Sequence, residues 1–369
     1  GGRGGGGGGR GGGGGGRTGG GSRGVGILAV TAAGVLAVAA CSSGGTTSGN
    51  SIKASGSSAQ KNAMTEWINS YQQANAGSTI DYQANGSGAG IQDFINNQTS
   101  FAGSDSAIKD ADLQKANQRC GTGPAINIPM VGGAIVVAFN VPGVEKLNLS
   151  SSVVAQIFSG KITKWNAPAI ASLNSGVKLP DATIVQFHRS DSSGTTDNFT
   201  KYLQASAAKD WTTAPGKDWT APGGQGAKGN DGVASSVKST PNSVGYMELS
   251  FAQDSKIPMA AINNGGGAVM PTTETAQAGL ASATVVGTGN DLSLKIDYAN
   301  KAPGAYPIVL VTYEITCEKG LQGGALTLTK SFLQYTASDS AQGMLSGIGY
   351  VPLPASLLTK VNSSVNSIS

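Results

Sequence analysis

Thr183-Ile184-Val185-Gln186-Phe187-His188-Arg189-Ser190-Asp191-Ser192-Ser193-Gly194-Thr195-Thr196 decides how this chain is read. Thr183 to Phe187 has the β-branched and apolar character of a strand, and it runs straight into Arg189. The small and hydroxyl residues that follow open a helix. A helix N-terminus leaves backbone N–H groups without intrahelical partners, and its dipole favours negative charge. Small residues let an anion reach those N–H groups, and Ser and Thr add donors of their own. Arg189 can fork onto two anion oxygens, and Asp191 is placed to hold the guanidinium flat. The segment is built to bind an oxyanion and contains nothing arranged to attack one.

Working outward, strands and helices alternate. Gln60 to Gln73 carries Ala63, Met64, Trp67, Ile68 and Tyr71 at helical spacing, and Ser78 to Gln83 alternates as a strand. Asn85-Gly86-Ser87-Gly88-Ala89-Gly90 is a loop leading to a helical Ile91 to Ile95. Ala125 to Met130 and Gly133 to Phe139 read as two buried strands, Val153 to Phe158 as a short helix, and Asn263 to Gly267 as a turn. Ile308 to Thr312 is a further buried strand and Leu326 to Tyr335 a helix. Trp211 to Asp231, rich in Gly, Pro, Lys and Asp, is expected to be a surface excursion. The fold class is α/β, whose ligands sit at the carboxyl ends of strands.

The formal charge of +4 comes from Arg3, Arg10, Arg17 and Arg23; without them 21 basic residues face 21 acidic ones. That balance leaves no broad electrostatic footprint for nucleic acid. Residues 1–23 are a Gly/Arg low-complexity extension, read either as an arginine-glycine RNA-binding tail or as an added N-terminal segment. Residues 24–40 hold the apolar run Val25 to Ala40 behind Arg23, the pattern of a secretory signal. Its end, Leu36-Ala37-Val38-Ala39-Ala40-Cys41, resembles a bacterial lipobox, with Cys41 as the lipid attachment site and residues 41–50 as a tether. An ordinary signal peptide with an incidental cysteine is the competing reading. Cys120 and Cys317 then remain as an even pair in an oxidising compartment and are expected to form a disulfide. Three scattered cysteines and a single histidine argue against a zinc or redox site, and no cofactor is expected.

Four segments together resemble the phosphate-binding proteins of bacterial phosphate ABC transporters, within the periplasmic binding-protein superfamily. They are Ala54-Ser55-Gly56-Ser57-Ser58-Ala59 before a Trp67-bearing helix, Tyr82 to Gly90, Phe101-Ala102-Gly103-Ser104-Asp105, and Arg189 to Thr195. Ile157 to Asn166, Ser243 to Glu248 and Ala305 to Ile308 agree in order between and after them. The resemblance runs from about Ser55 to Pro354 and implies a two-lobed, hinge-linked type II binding-protein fold of discontinuous sequence. One lobe would hold residues 51–135 and 306–369, the other 136–305. Ser58, Ala59, Ser87 and Asp105 would face Arg189, Ser193, Gly194 and Thr195 across a cleft. Ser58 departs from the Thr common at its place but keeps the hydroxyl, and Ala59 replaces an aromatic of some relatives, leaving its backbone N–H as the contact. The implied partners are inorganic phosphate and a membrane permease, for an exported, lipid-anchored monomer at the outer face of the cytoplasmic membrane.

Asp105 is the residue on which selectivity turns. A carboxylate facing an anion is repulsive unless the anion brings a proton, which hydrogen phosphate does and sulfate near neutral pH does not. The simpler role for Asp105 is to cap a helix before Ser106-Ala107-Ile108. His188 adjoins Arg189, but strand alternation turns its side chain to the opposite face. A phosphoester hydrolase using Ser193 or Ser58 as nucleophile therefore lacks a placed base, and a receptor or sensor for another tetrahedral oxyanion is the nearer alternative.

Overall fold

The computed structural model describes residues 50–369; the Gly/Arg run, the apolar run and Cys41 lie outside the described residues. The chain enters through β1 (Ser51–Gly56), α1 (Lys61–Ala74), β2 (Thr79–Gln83), α2 (Ser87–Ile95), β3 (Phe101–Ser104) and α3 (Asp110–Cys120). The long β4 (Ala125–Asn140) leads to α4 (Ser151–Phe158), β5 (Val185–Arg189), α5 (Gly194–Ser206), β6 (Gln225–Ala227) and α6 (Gly229–Ser239). Then come β7 (Ser243–Glu248), α7 (Leu249–Asp254), the returning β8 (Val309–Cys317), α8 (Gly323–Thr336) and α9 (Ala355–Ser367). These eight strands form one sheet in the order β2-β1-β3-β8-β4-β7-β5-β6.

β4 is the element that makes two lobes from one sheet. Its residues Ala125 to Ala134 pair antiparallel with β8, and its residues Ile135 to Asn140 pair antiparallel with β7. The partner changes between Ala134 and Ile135, beside the returning chain, where Ile135 N–H donates to Ile308 C=O at 2.8 Å. Hydrophobic packing divides at the same place. Val136, Phe139, Phe158, Trp165, Phe199 and Tyr246 share one core, while Met64, Trp67, Phe101, Ile128, Phe332 and Val361 share another. Strands covered on both faces need no alternation, which is why β4 is buried almost from end to end.

The sequence reading of two strands, Ala125 to Met130 and Gly133 to Phe139, is corrected here to one. Gly132 does not break the strand; it exchanges backbone hydrogen bonds of 2.9 Å with Val351. A Cβ on Gly132 would stand 2.7 Å from Leu280 Cδ1, so the glycine serves close approach and not a turn. β8 likewise runs past the expected end at Thr312 to Cys317. α2 begins at Ser87, so Ser87 to Gly90, read as part of a loop, are the first turn of the helix, and Asn85 and Gly86 precede it.

Trp211 to Asp231 is largely exposed or half-buried, as expected of a surface excursion, but it is pinned by the buried Trp211, Ala221, Gly229 and Asn230. Trp211 and Ala221 are buried in the core of Phe139, Phe158 and Tyr246, and Trp219 stacks on His188 with ring centroids 5.0 Å apart. The segment then supplies β6 and the first turn of α6. Glycine and proline density hid this anchoring, because the segment buries Trp211 and half-buries Trp219 while keeping an irregular backbone.

Cys120, at the end of α3, and Cys317, at the end of β8, form a disulfide with Cα atoms 5.5 Å apart. The expected pairing is thus present, and it ties the outgoing chain to the returning one across a separation of 197 residues. Closing so long a loop restricts the unfolded chain far more than the folded one. Reducing the bond should cost about 2–5 kcal/mol of stability. Denaturant midpoints measured with and without reductant check this, and equal midpoints would contradict it.

Candidate anion-binding site

Arg189 ends β5 with its side chain almost wholly buried. Its Nε donates to Asp191 Oδ1 at 2.7 Å and its Nη2 to Asp191 Oδ2 at 2.5 Å, the flat two-point pairing expected of this spacing. Asp191 also accepts from Gly229 N–H at 3.1 Å, at the first turn of α6. Burial alone would raise the Asp191 carboxyl, but the Arg189 hydrogen bonds and charge, with the Gly229 N–H, outweigh it and hold the group below its ordinary value. Among the described residues, Arg189 is the only buried lysine or arginine.

Around this pair the walls meet. Gly88 N–H donates to Ser192 C=O at 3.0 Å, and Asn198 Nδ2 donates to the backbone carbonyl of Asp105 at 2.8 Å. Gly194 passes so near the opposite wall that a Cβ there would lie 2.7 Å from Ser87 Oγ and 2.6 Å from Asp105 Cβ. Only glycine fits, which gives the sequence-predicted Gly194 a physical reason. Ser58, Ser87, Asp105, Arg189, Ser193, Gly194 and Thr195 are all buried at this junction.

The hydroxyls share one polarity. Ser58 Oγ accepts from both the backbone N–H and Nδ2 of Asn230, at 3.0 and 2.9 Å. Thr195 Oγ1 accepts from Asn230 Nδ2 at 3.2 Å and from Arg189 Nη1 at 3.4 Å. Ser87 Oγ accepts from Asp105 N–H at 3.2 Å, and Ser193 Oγ caps α5 by accepting from Thr196 N–H at 3.1 Å. A hydroxyl whose lone pairs are engaged by donors keeps its own hydrogen to give away. Ala59 N–H is already bonded to Ser57 Oγ at 3.1 Å.

Asp105 has the opposite polarity. Ser57 and Thr312 both donate to its Oδ1, while Oδ2 receives only a 3.5 Å contact from Thr195. Burial raises its pKa above the ordinary value, against the lowering effect of Ser57, Thr312, the Arg189 charge and Thr195. The capping role is excluded, since the next helix begins five residues later at Asp110 with Lys109 as its cap. His188 faces the other way, as alternation predicts; its ring lies on Trp219 and its Nδ1 contacts Arg189 C=O at 2.9 Å.

Sequence reasoning missed Ser57, Thr312 and Asn230. Asn230 lies in the segment read as a surface excursion and bonds Ser58, Thr195 and, through Oδ1, the N–H of Glu248 at 2.8 Å. Lys228-Gly229-Asn230-Asp231-Gly232, small and polar before a helix, was the available signal.

Residues 42–340 match the PBP superfamily domain. The phosphate-binding protein PstS3 of Mycobacterium bovis is 44% identical over 360 residues, covering 92% of this chain and 97% of that protein. This chain belongs to the PstS family. A PstS protein of Xylella fastidiosa is 34% identical over 320 residues, covering 85% of each chain. In structure, a high-affinity periplasmic phosphate-binding protein solved with bound phosphate matches with a TM-score of 0.68 at 20% identity, covering 85% of this chain and 93% of that one. The two-lobed binding-protein fold expected from the sequence is thus the fold of this PstS-family chain.

Asp105 has a raised pKa, so it holds its proton more tightly folded than unfolded. Its ionisation therefore costs stability as pH rises through the window from 3.8 to the raised value. Without ligand, Asp105→Asn should be more stable than the parent at neutral pH, and the gain should vanish below the ordinary carboxyl range. Thermal melts across pH check this; a destabilised variant at neutral pH with an unchanged acid limb would contradict it.

Proposed function

We propose that this protein binds hydrogen phosphate at the junction of its two lobes and delivers it to a membrane ABC transporter. The observation that carries the reading is the polarity of the site. The hydroxyls of Ser58 and Thr195 each accept two hydrogen bonds and are left to donate, those of Ser87 and Ser193 each accept one, and Asp105 Oδ2 carries only the 3.5 Å contact from Thr195. A ligand that accepts many hydrogen bonds and donates one is a tetrahedral oxyanion that carries a proton. The names of the relatives, phosphate-binding proteins, agree. Fixed dipoles replace the hydration shell of the anion, while the Arg189–Asp191 pair adds donors with little net charge.

The ligand residues of this reading are Ser58, Ser87, Asp105, Arg189, Ser193, Gly194 and Thr195, with Asp191 supporting Arg189. Ala59 joins them if its N–H leaves Ser57. The lobes are residues 51–135 with 306–369, and 136–305, hinged where β4 exchanges partners. The protein acts without catalysis, for the imidazole of His188 is engaged on the far side of its strand. It works as an exported monomer tethered by lipid on Cys41, with no nucleic-acid partner. A receptor for another protonated oxyanion, such as arsenate, uses the same polarity and is the second reading.

Calorimetry of the protein stripped of phosphate, titrated with phosphate and then sulfate, tests the reading. Phosphate should bind, and sulfate should be rejected by as much as ~10⁴–10⁵-fold, as sites built for a ligand hydroxyl reject analogues lacking it. Asp105→Asn should change phosphate affinity modestly but admit sulfate, because the repulsion is gone and the amide can donate. Arg189→Ala should weaken both anions by about 2–5 kcal/mol by removing the buried cation. A phosphate titration without heat at several temperatures would reject the reading, and unaltered sulfate exclusion in Asp105→Asn would remove Asp105 from selectivity.

The neutral chain from Cys41 onward offers no electrostatic hold on a membrane. Cys41→Ala should therefore move the protein from the membrane to the soluble fraction; fractionation that leaves it in the membrane contradicts the anchor.

A further inference from the structure

Glu314 is a buried acid that the anion site does not use. It lies on β8 two residues beyond Thr312, the residue that donates to Asp105. No part of it is exposed, and neither carboxyl oxygen has a hydrogen-bond partner. It pairs across the sheet with Gly103 of β3, where a Cβ would lie 2.2 Å from Gln60 Nε2 and 2.4 Å from the Tyr82 hydroxyl. Gln60 and Tyr82 thus crowd the strand beside Glu314. Gln60 Oε1 also lacks a partner, while its Nε2 donates to the Tyr82 hydroxyl at 3.1 Å; Gln60 is the polar side chain beside the Glu314 carboxyl.

Unpartnered acceptors brought together in a buried space are costly. One proton on Glu314 would turn the carboxyl into a donor for Gln60 Oε1 and satisfy both groups. The other titratable groups facing it are Tyr82, from β2, and Asp105, after β3; it has no salt-bridge partner among the described residues. Gln60, Tyr82, Gly103 and Asp105 all precede β4, so this environment lies in one lobe and persists when the lobes part.

We propose that Glu314 takes up a proton from solvent when the anion binds, so that hydrogen phosphate and one proton enter the protein together. The inference rests on the phosphate reading above. Burial pushes the Glu314 carboxyl up to about 8, with the neighbouring Gln60 amide opposing and the Asp105 charge adding to the rise. Near that pH the ligand-free protein is a mixture of carboxylate and acid. A dianion placed against Asp105 adds negative charge and raises the group further. The carboxylate then gains a proton from water or buffer and becomes the neutral acid, with no other bond changed. Phosphate affinity should accordingly fall as pH rises above about 8, by up to tenfold per pH unit.

The test is calorimetry of phosphate binding near pH 8 in buffers of different ionisation enthalpy. The unaltered protein should take up as much as about half a proton per phosphate. Glu314→Gln, neutral and of equal size, should lose that uptake and flatten the fall of affinity above pH 8. Proton exchange belonging to phosphate itself survives in the variant, so equal uptake in both proteins overturns the proposal. Glu248, the other fully buried glutamate, has Oε2 held by the Ser250 N–H and hydroxyl. Uptake lost in Glu248→Gln but kept in Glu314→Gln would move the proton there and overturn the assignment. Should Glu314→Gln fail to fold, infrared difference spectra of the unaltered protein decide: phosphate should increase the protonated-carboxyl band near pH 8, and no increase overturns the proposal. Absence of any phosphate heat would instead defeat the binding reading itself.

Discussion

Arg189 is a charge placed where water cannot reach it, and everything around it follows from the need to keep it paired without using it up. Asp191 takes the Nε and Nη2 edge of the guanidinium, and Nη1 faces Thr195. The pair is close to neutral, so an anion added to the site must be stabilised mainly by dipoles. That requirement explains why hydroxyls and helix N-termini converge here, and why Asn230 engages the lone pairs of two of those hydroxyls. An unpaired cation would attract any anion; the oriented hydroxyls and the Asp105 acceptor make the site selective.

The sheet makes that convergence possible. β3 brings Asp105 from one lobe, and β5 brings Arg189 from the other, at the ends of strands joined through β4. Because β4 changes partners once, between Ala134 and Ile135, each lobe keeps its own core while sharing one continuous strand. Such a connection lets the lobes turn about a few residues with little repacking.

What could be read from the sequence was local. Arg189, Asp191, Ser193, Gly194 and Thr195 are contiguous, and their chemistry follows from a strand feeding a helix start. The stripe of α1 and the disulfide were legible for similar reasons, one from periodicity and the other from counting cysteines. Ser57, Thr312 and Asn230 were not, because each acts through a partner 48, 207 or 172 residues away. Nothing in the neighbourhood of Thr312 marks it out; only the pairing of β8 brings it to Asp105. The gap at Val131 and Gly132 was read as a break because the close approach of Val351 and Leu280 to Gly132 is invisible in one dimension.

The account stands or falls on where the proton of the bound anion lies. Neutron diffraction from a crystal grown with phosphate would locate it directly. The account predicts a phosphate enclosed by Ser58, Ser87, Arg189, Ser193 and Thr195, with its single hydrogen directed at Asp105 Oδ2. A phosphate bound elsewhere, or one whose hydrogen points at a serine while Asp105 faces a bare oxygen, would contradict it.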